Sequence, residues 1–219
     1  MPKSLPDIEY VNDGKTAIID SPISMYQIPY YKDSDYFSNY DNYVAFVKGV
    51  EKQVRQNDRY RKYISYLKNE VKLNRCQVLK NVTTEDEGVD IEMHHGPIFT
   101  LFDICAIVLE YFLIKKWKVT TMRVANQVLM EHQKNRIGVV MVTSTVHEEI
   151  HNGDIFINIH QAWGDIKAFC KKYDEAIGRE YREQINRYID RSLQYDSSDF
   201  SVLDLNPKLY GTKKERNKK

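Results

Sequence analysis

Two pairs of histidines restrict this chain more than any other feature of its sequence. All six histidines fall within a window of 67 residues. His94 and His95 end a stretch in which apolar and polar residues alternate, as they do along a β-strand. His147 and His151 are four residues apart in a segment predicted to be a short helix, so they share one helix face. This second pair can point two imidazoles at one metal ion.

Composition excludes several classes of protein. The formal net charge of +1 argues against a uniformly basic nucleic-acid coat protein. The three cysteines form no CxxC pair, which argues against a disulfide framework and against a cysteine-based zinc knuckle. The most apolar stretch, residues 98–114, is short for a membrane span and is interrupted by Asp103 and Glu110. We therefore expect a buried helix there, no membrane partner and a cytoplasmic protein.

The sequence divides into four regions. Residues 1–42 form an acidic arm rich in tyrosine and proline, and residues 43–75 form a basic helical region. Residues 76–160 hold all the histidines and form the core. Residues 161–219 form a C-terminal helical extension that ends in a basic tail.

Local patterns predict the elements of the core. Apolar spacing indicates helices over 98–115 and 122–132. Besides the strand that ends in histidines, continuous or alternating apolar residues indicate strands over 76–82, 137–142 and 155–159. We therefore expect an α+β protein.

Charge is unevenly distributed along the chain. The first 41 residues carry a net charge of −4, whereas residues 48–80 carry +7. A basic run on a helix is usually its solvated face, and the alternative is a surface that contacts nucleic-acid phosphates. On the second interpretation the candidate nucleic-acid-binding residues are Arg55, Arg59, Arg61, Lys62, Lys115, Lys116, Lys118 and Arg136.

The helical pair also fits the HExxH motif of zinc peptidases, in which Glu148 is the general base. Two features argue against this interpretation. A second charged residue, Glu149, follows at once, and Asn152-Gly153 ends the helix early. The peptidase interpretation also leaves His94-His95 without a role.

The pattern VDIEMHHGPI followed by KNRIGVVMVTSTVHEEIHNG resembles the HNH, or ββα-metal, endonuclease family, in the histidine-rich form of colicin-type DNases and phage proteins. The shared features are a strand that ends in two histidines, an asparagine before a second strand, and a helix with HxxxH and a glycine stop. The resemblance covers about a third of the chain. It implies a ββα-metal core with inserted helices, preceded by a helical region and followed by a helical extension.

The resemblance also implies roles for individual residues. His94, His147 and His151 hold one divalent metal ion, which is Mg²⁺, Mn²⁺, Ni²⁺ or Zn²⁺. His95 is the general base, and Asn135 orients it. Two departures from the family pattern stand out: the asparagine lies twelve residues before the helical pair, and two predicted helices interrupt the motif.

The sequence thus predicts a phage-encoded, metal-dependent HNH endonuclease that hydrolyses DNA phosphodiester bonds in the host cytoplasm. DNA and other phage proteins are its expected partners. Two alternatives stay open: a non-catalytic nucleic-acid- or protein-binding module on the same scaffold, and the HExxH zinc peptidase.

Overall fold

The computed structural model describes residues 8–10, 17–19, 32, 34–79 and 81–194, and the molecule is an α+β protein in which helices dominate. The first two segments are short strands, β1 (Ile8–Tyr10) and β2 (Ala17–Ile19), which pair in antiparallel fashion. The rest of the predicted acidic arm before residue 32 and the basic tail after residue 194 lie outside the described residues.

Five helices pack against one another, and together they form the helical layer of the molecule. They are α1 (Ser34–Ser38), α2 (Tyr40–Gln56), α3 (Asp58–Asn69), α4 (Leu101–Ile114) and α5 (Thr121–Gln133). Helix α2 packs against α4 and α5, and α3 packs against α5. Asn57 separates α2 from α3, and its side chain caps α3 by accepting a hydrogen bond from the Arg59 amide at 2.9 Å. Helix α4 is buried along most of its length, which confirms that the apolar stretch is a core helix.

The second sheet has two antiparallel strands and leads directly into a helix. Strand β3 (Ile91–His95) pairs with β4 (Val139–Thr143), and α6 (Ser144–Asn152) starts at the next residue. Helices α4 and α5 are inserted between the two strands. The order of strand, strand and helix is the one that the sequence predicts around the two histidine pairs.

Two other predicted strands are wrong. The described residues of the first, 76–79 and 81–82, form no strand, and buried Gln77 binds the edge of β4. Its amide donates to the Met141 carbonyl at 2.7 Å, and its side-chain oxygen accepts from the Met141 amide at 2.5 Å. The last predicted strand ends instead in a 3-10 turn at Ile159–Gln161, which the side chain of Asn158 caps.

The C-terminal extension is helical, as predicted. Helices α7 (Ile166–Lys172) and α8 (Arg179–Leu193) are separated by a short 3-10 turn and by Gly178. The buried carboxylate of Glu131, on α5, accepts a hydrogen bond from the hydroxyl of Tyr173 at 3.0 Å and joins the extension to the core. None of the described helices is long and apolar enough to cross a membrane.

Candidate metal centre

Three histidines meet where β3 faces α6. His94 lies near the end of β3, and His147 and His151 lie one turn apart on α6. Thr143 caps the start of the helix by accepting a hydrogen bond from the Val146 amide, and Gly153 ends it in the left-handed conformation with φ of 85°. The two caps restrict α6 to nine residues, so both of its histidines lie close to a helix end.

The three imidazoles are spaced as ligands of one ion would be. Nε2 of His147 and Nε2 of His151 are 3.1 Å apart. Two nitrogens bound to a tetrahedral zinc ion lie about 3.3 Å apart, since each Zn–N bond is about 2.0–2.1 Å long. One ligand nitrogen from each of the three histidines lies within 4.8 Å of the others. The helical pair therefore already has about the separation of two ligands of one ion, and His94 lies near enough to be the third.

A carboxylate that sequence reasoning missed holds one of the three histidines. Nδ1 of His147 donates to Oε2 of Glu92 at 2.6 Å, and Oγ of Ser144 donates to Oε1 of the same carboxylate at 2.9 Å. Glu92 lies two residues before His94 on β3, so both side chains point to the same face of the sheet. That spacing of two could have identified Glu92 from the sequence.

Burial keeps the imidazole of His94 neutral. His94 is 7% exposed, and burial lowers its pKa to about 4, with smaller contributions from His147 and His151. Its buried Nδ1 has no hydrogen-bond partner among the described residues. The hydrogen bond from His147 holds the pKa of Glu92 below its usual value, and Ser144 adds to this shift. A neutral imidazole is the form that binds a metal ion.

The donor set restricts the ion. Imidazole nitrogens suit Zn²⁺ and Ni²⁺, whereas Mg²⁺ prefers oxygen ligands and water. The side chain of His147 is 26% exposed, and His151 is exposed, so one side of the cluster faces solvent. Three protein ligands beside solvent leave room for a water molecule or a substrate oxygen, as in catalytic zinc sites.

The structure places His95 apart from this cluster. Neighbouring residues of a strand point to opposite faces, and His95 faces the helical layer, where it is 6% exposed. Its Nε2 lies 3.0 Å from Nε2 of His132 on α5, and its ring stacks on Tyr60 of α3. Burial holds the pKa of His95 well below its usual value, and the neighbouring His132 contributes to the shift. The role of His95 as general base stays a prediction.

The buried pair has defined hydrogen positions. Nδ1 of His132 lies 2.8 Å from the carbonyl oxygen of Val128, which can only accept, so Nδ1 carries the hydrogen. Neutral His132 then accepts at Nε2, and His95 donates from its own Nε2. His132 is fully buried, and sequence reasoning missed this contact because the two histidines are 37 residues apart.

Asn135 contacts His132 through its backbone. It lies between α5 and β4 in the left-handed conformation, with φ of 52°. Its amide donates to the His132 carbonyl at 2.8 Å, and its carbonyl accepts from the Asp165 amide at 2.6 Å. Its buried Oδ1 has no partner within the part of the chain that the structure describes. The orientation of His95 by Asn135 stays a prediction.

The predicted nucleic-acid surface is partly neutralised. Four of its side chains form ion pairs within the protein: Arg55 with Glu51, Arg61 with Asp58, Lys115 with Glu175, and Arg136 with Glu131. Arg59 donates to the side chain of Gln133. Lys62, Lys116 and Lys118 are exposed. The charge available to a phosphate backbone is therefore smaller than the sequence count indicates.

The family model of bacteriophage G278-like virion proteins matches residues 8–214. No curated protein and no solved structure matches the chain. The matched range contains every residue of the candidate metal centre.

Proposed function

Because this chain belongs to the bacteriophage G278-like virion protein family, we propose a function for a phage protein. It binds one divalent metal ion through His94, His147 and His151 and uses it to hydrolyse DNA phosphodiester bonds. The observation that carries this proposal is the three-histidine cluster at the junction of β3 and α6.

The order of the elements and the open side of the cluster support hydrolysis. A strand, a second antiparallel strand and a helix bring the ligands together, in the order of the motif that the sequence resembles. Structural zinc sites usually have four protein ligands, whereas sites of hydrolysis keep one position for water or substrate. Zn²⁺ and Ni²⁺ fit the three imidazoles better than Mg²⁺ does.

The ion would neutralise charge on the scissile phosphate. The chain supplies the other parts. Three neutral imidazoles leave the full charge of the cation in place. His95 takes a proton from a water molecule as the water oxygen bonds to phosphorus and the bond to the 3′ oxygen breaks. The 3′ oxygen takes a proton from solvent, so the products carry a 5′-phosphate and a 3′-hydroxyl. Nδ1 of His95 is the nitrogen that accepts the proton, since Nε2 donates to His132.

The burial of His95 favours a second candidate, a non-catalytic metal-binding module. A general base must lie within hydrogen-bond reach of the water that it activates. His95 is 6% exposed and points to the face opposite the cluster. On this candidate the ion stabilises the contact between β3 and α6 and no bond is cleaved.

Nicking of supercoiled plasmid separates the candidates. We expect wild-type protein to nick plasmid with Zn²⁺ or Ni²⁺, and to do so less with Mg²⁺. We expect His147→Ala and His95→Ala to abolish nicking, and the control Glu148→Ala to retain it. Nicking that survives His95→Ala would contradict the role of this residue. Metal binding without nicking would favour the second candidate.

The same preparations test the peptidase alternative. Unfolded casein incubated with the protein and Zn²⁺ should remain intact. Cleavage of casein that Glu148→Ala alone abolishes, without nicking of plasmid, would instead support the HExxH interpretation.

A further inference from the structure

We propose that Glu92 is a positioning residue that selects the metal-binding form of His147, an inference that rests on the proposed metal site. Glu92 lies on β3, and its carboxylate contacts α6 through both oxygens. Oε2 accepts from Nδ1 of His147 at 2.6 Å, and Oε1 accepts from Oγ of Ser144 at 2.9 Å.

The contact with Glu92 determines the tautomer of His147. A neutral imidazole carries its hydrogen on either Nδ1 or Nε2, and only the bare nitrogen can bind a metal ion. An ionised carboxylate accepts hydrogen bonds and cannot donate them, so the contact with Glu92 keeps the hydrogen on Nδ1 of His147. The lone pair then lies on Nε2, which is the nitrogen 3.1 Å from Nε2 of His151.

The contact with Glu92 also determines the orientation of the His147 ring. The ring of His147 can rotate about its side-chain bonds, and a single hydrogen bond to a mobile carboxylate would restrict it little. Ser144, in the first turn of the same helix, holds the other carboxylate oxygen. Ser144 therefore fixes the Glu92 carboxylate, and the carboxylate in turn binds His147 one turn further along α6. The two hydrogen bonds together restrict the His147 ring to one orientation.

Glu92 also connects β3 and α6, the two elements that supply the ligands. Glu92 and His94 share one face of β3, so the strand provides one ligand and the support for another. The carboxylate connects the strand with the helix before any ion is bound. Because the side chain of Glu92 is 43% exposed, we expect its removal to affect metal binding more than folding.

Removal of the carboxylate should weaken metal binding by about 10–100-fold, the usual effect of losing a partner that orients a histidine ligand. The test is competition for Zn²⁺ with a chromophoric chelator, on full-length wild type and Glu92→Ala. Glu149→Gln is the matched control, since it removes one carboxylate from α6 and should change the affinity less than about twofold. Equal affinities for Glu92→Ala and Glu149→Gln would overturn the inference, while Zn²⁺ binding by wild type would leave the proposed metal site standing.

A second measurement needs no metal. Nitrogen-15 NMR of histidine rings distinguishes the two neutral tautomers. In metal-free wild type we expect His147 to carry hydrogen on Nδ1 only, and in Glu92→Ala we expect a mixture of tautomers. A mixture already present in folded wild type would overturn the inference, whatever the affinity for Zn²⁺.

Discussion

Two histidine pairs lie on opposite faces of the same two-stranded sheet, with nearly the same spacing and different surroundings. The Nε2 atoms of His147 and His151 are 3.1 Å apart, and those of His95 and His132 are 3.0 Å apart. The first pair lies beside solvent and next to a third histidine. The second pair is buried among aromatic rings of the helical layer, including that of Tyr60.

The difference between the pairs follows from burial and from the third histidine. In the exposed pair, Glu92 holds the hydrogen on Nδ1 of His147, so Nε2 of His147 accepts and Nε2 of His151 donates. In the buried pair, the Val128 carbonyl holds the hydrogen on Nδ1 of His132, so Nε2 of His132 accepts and Nε2 of His95 donates. The two pairs therefore share one hydrogen-bond pattern, and a short distance between imidazoles does not define a candidate metal site. The third histidine and the access of solvent do.

The largest expected effect is the loss of metal binding when the exposed pair is broken. His151→Ala removes one of three ligands, and we expect it to weaken Zn²⁺ binding by more than the about 100-fold that the loss of a supporting partner can cost. His132→Phe, on the other face, removes neither a ligand nor the hydrogen-bond partner of a ligand. The affinity for Zn²⁺ should therefore stay within about threefold of wild type. Chelator competition measures both. Similar losses in the two variants would mean that the pairs are not independent.

The reverse comparison concerns stability. His132→Ala removes a fully buried ring and leaves the Nε2 hydrogen of His95 without a partner, so we expect a loss of about 3 kcal/mol in the free energy of unfolding. His151→Ala, at an exposed position, should change it by less than about 0.5 kcal/mol. Urea denaturation in the presence of a chelator measures both values. A larger loss for His151→Ala than for His132→Ala would contradict the assignment of the two faces.

Helix and strand periodicity accounts for the part of the site that could be predicted from the sequence. Spacing of four placed His147 and His151 on one helix face, and alternation placed His94 at a strand end; both are local rules of backbone geometry. The same alternation places His95 on the face opposite His94, and it places Glu92 on the same face as His94. Applied strictly, it would have located Glu92 from the sequence alone.

The rest depended on contacts between distant residues. His132 contacts His95 across 37 residues of chain, and no local pattern encodes that contact. No strand forms over the described residues of the predicted strand at 76–82, where the buried side chain of Gln77 binds the Met141 amide. Of the four ion pairs on the basic surface, that of Lys115 with Glu175 joins residues far apart in the sequence and depends on the fold. The other three join residues at most five positions apart.

A smaller effect is the pH dependence of stability that the buried pair causes. Burial lowers the pKa of His132 to about 4 in the folded protein, whereas an unfolded histidine has a pKa of about 6.5. Between these values the unfolded chain binds a proton that the folded chain does not. The contribution of neutral His132 is therefore complete above pH about 6.5 and is lost as the pH falls toward 4.

Chemical denaturation of metal-free protein between pH about 7.5 and about 4.5, which covers most of the range from about 6.5 to about 4, measures this dependence. His132→Phe should flatten the decline relative to wild type, because it removes one group that takes up a proton on unfolding. A decline of equal steepness in both proteins would show that other groups, such as buried His94, account for it.

The smallest expected effect is on variants of Asn135, which distinguish a role of its side chain from a role of its backbone. Its φ of 52° favours asparagine or glycine, so Asn135→Ala should cost about 1 kcal/mol of stability and Asn135→Gly less. Both variants keep the amide that donates to the His132 carbonyl, and neither removes a side-chain hydrogen bond, since buried Oδ1 has no partner among the described residues. We therefore expect Asn135→Gly to retain plasmid nicking if wild type nicks. Loss of nicking in folded Asn135→Gly would assign the side chain a direct role and would link the buried face to the reaction.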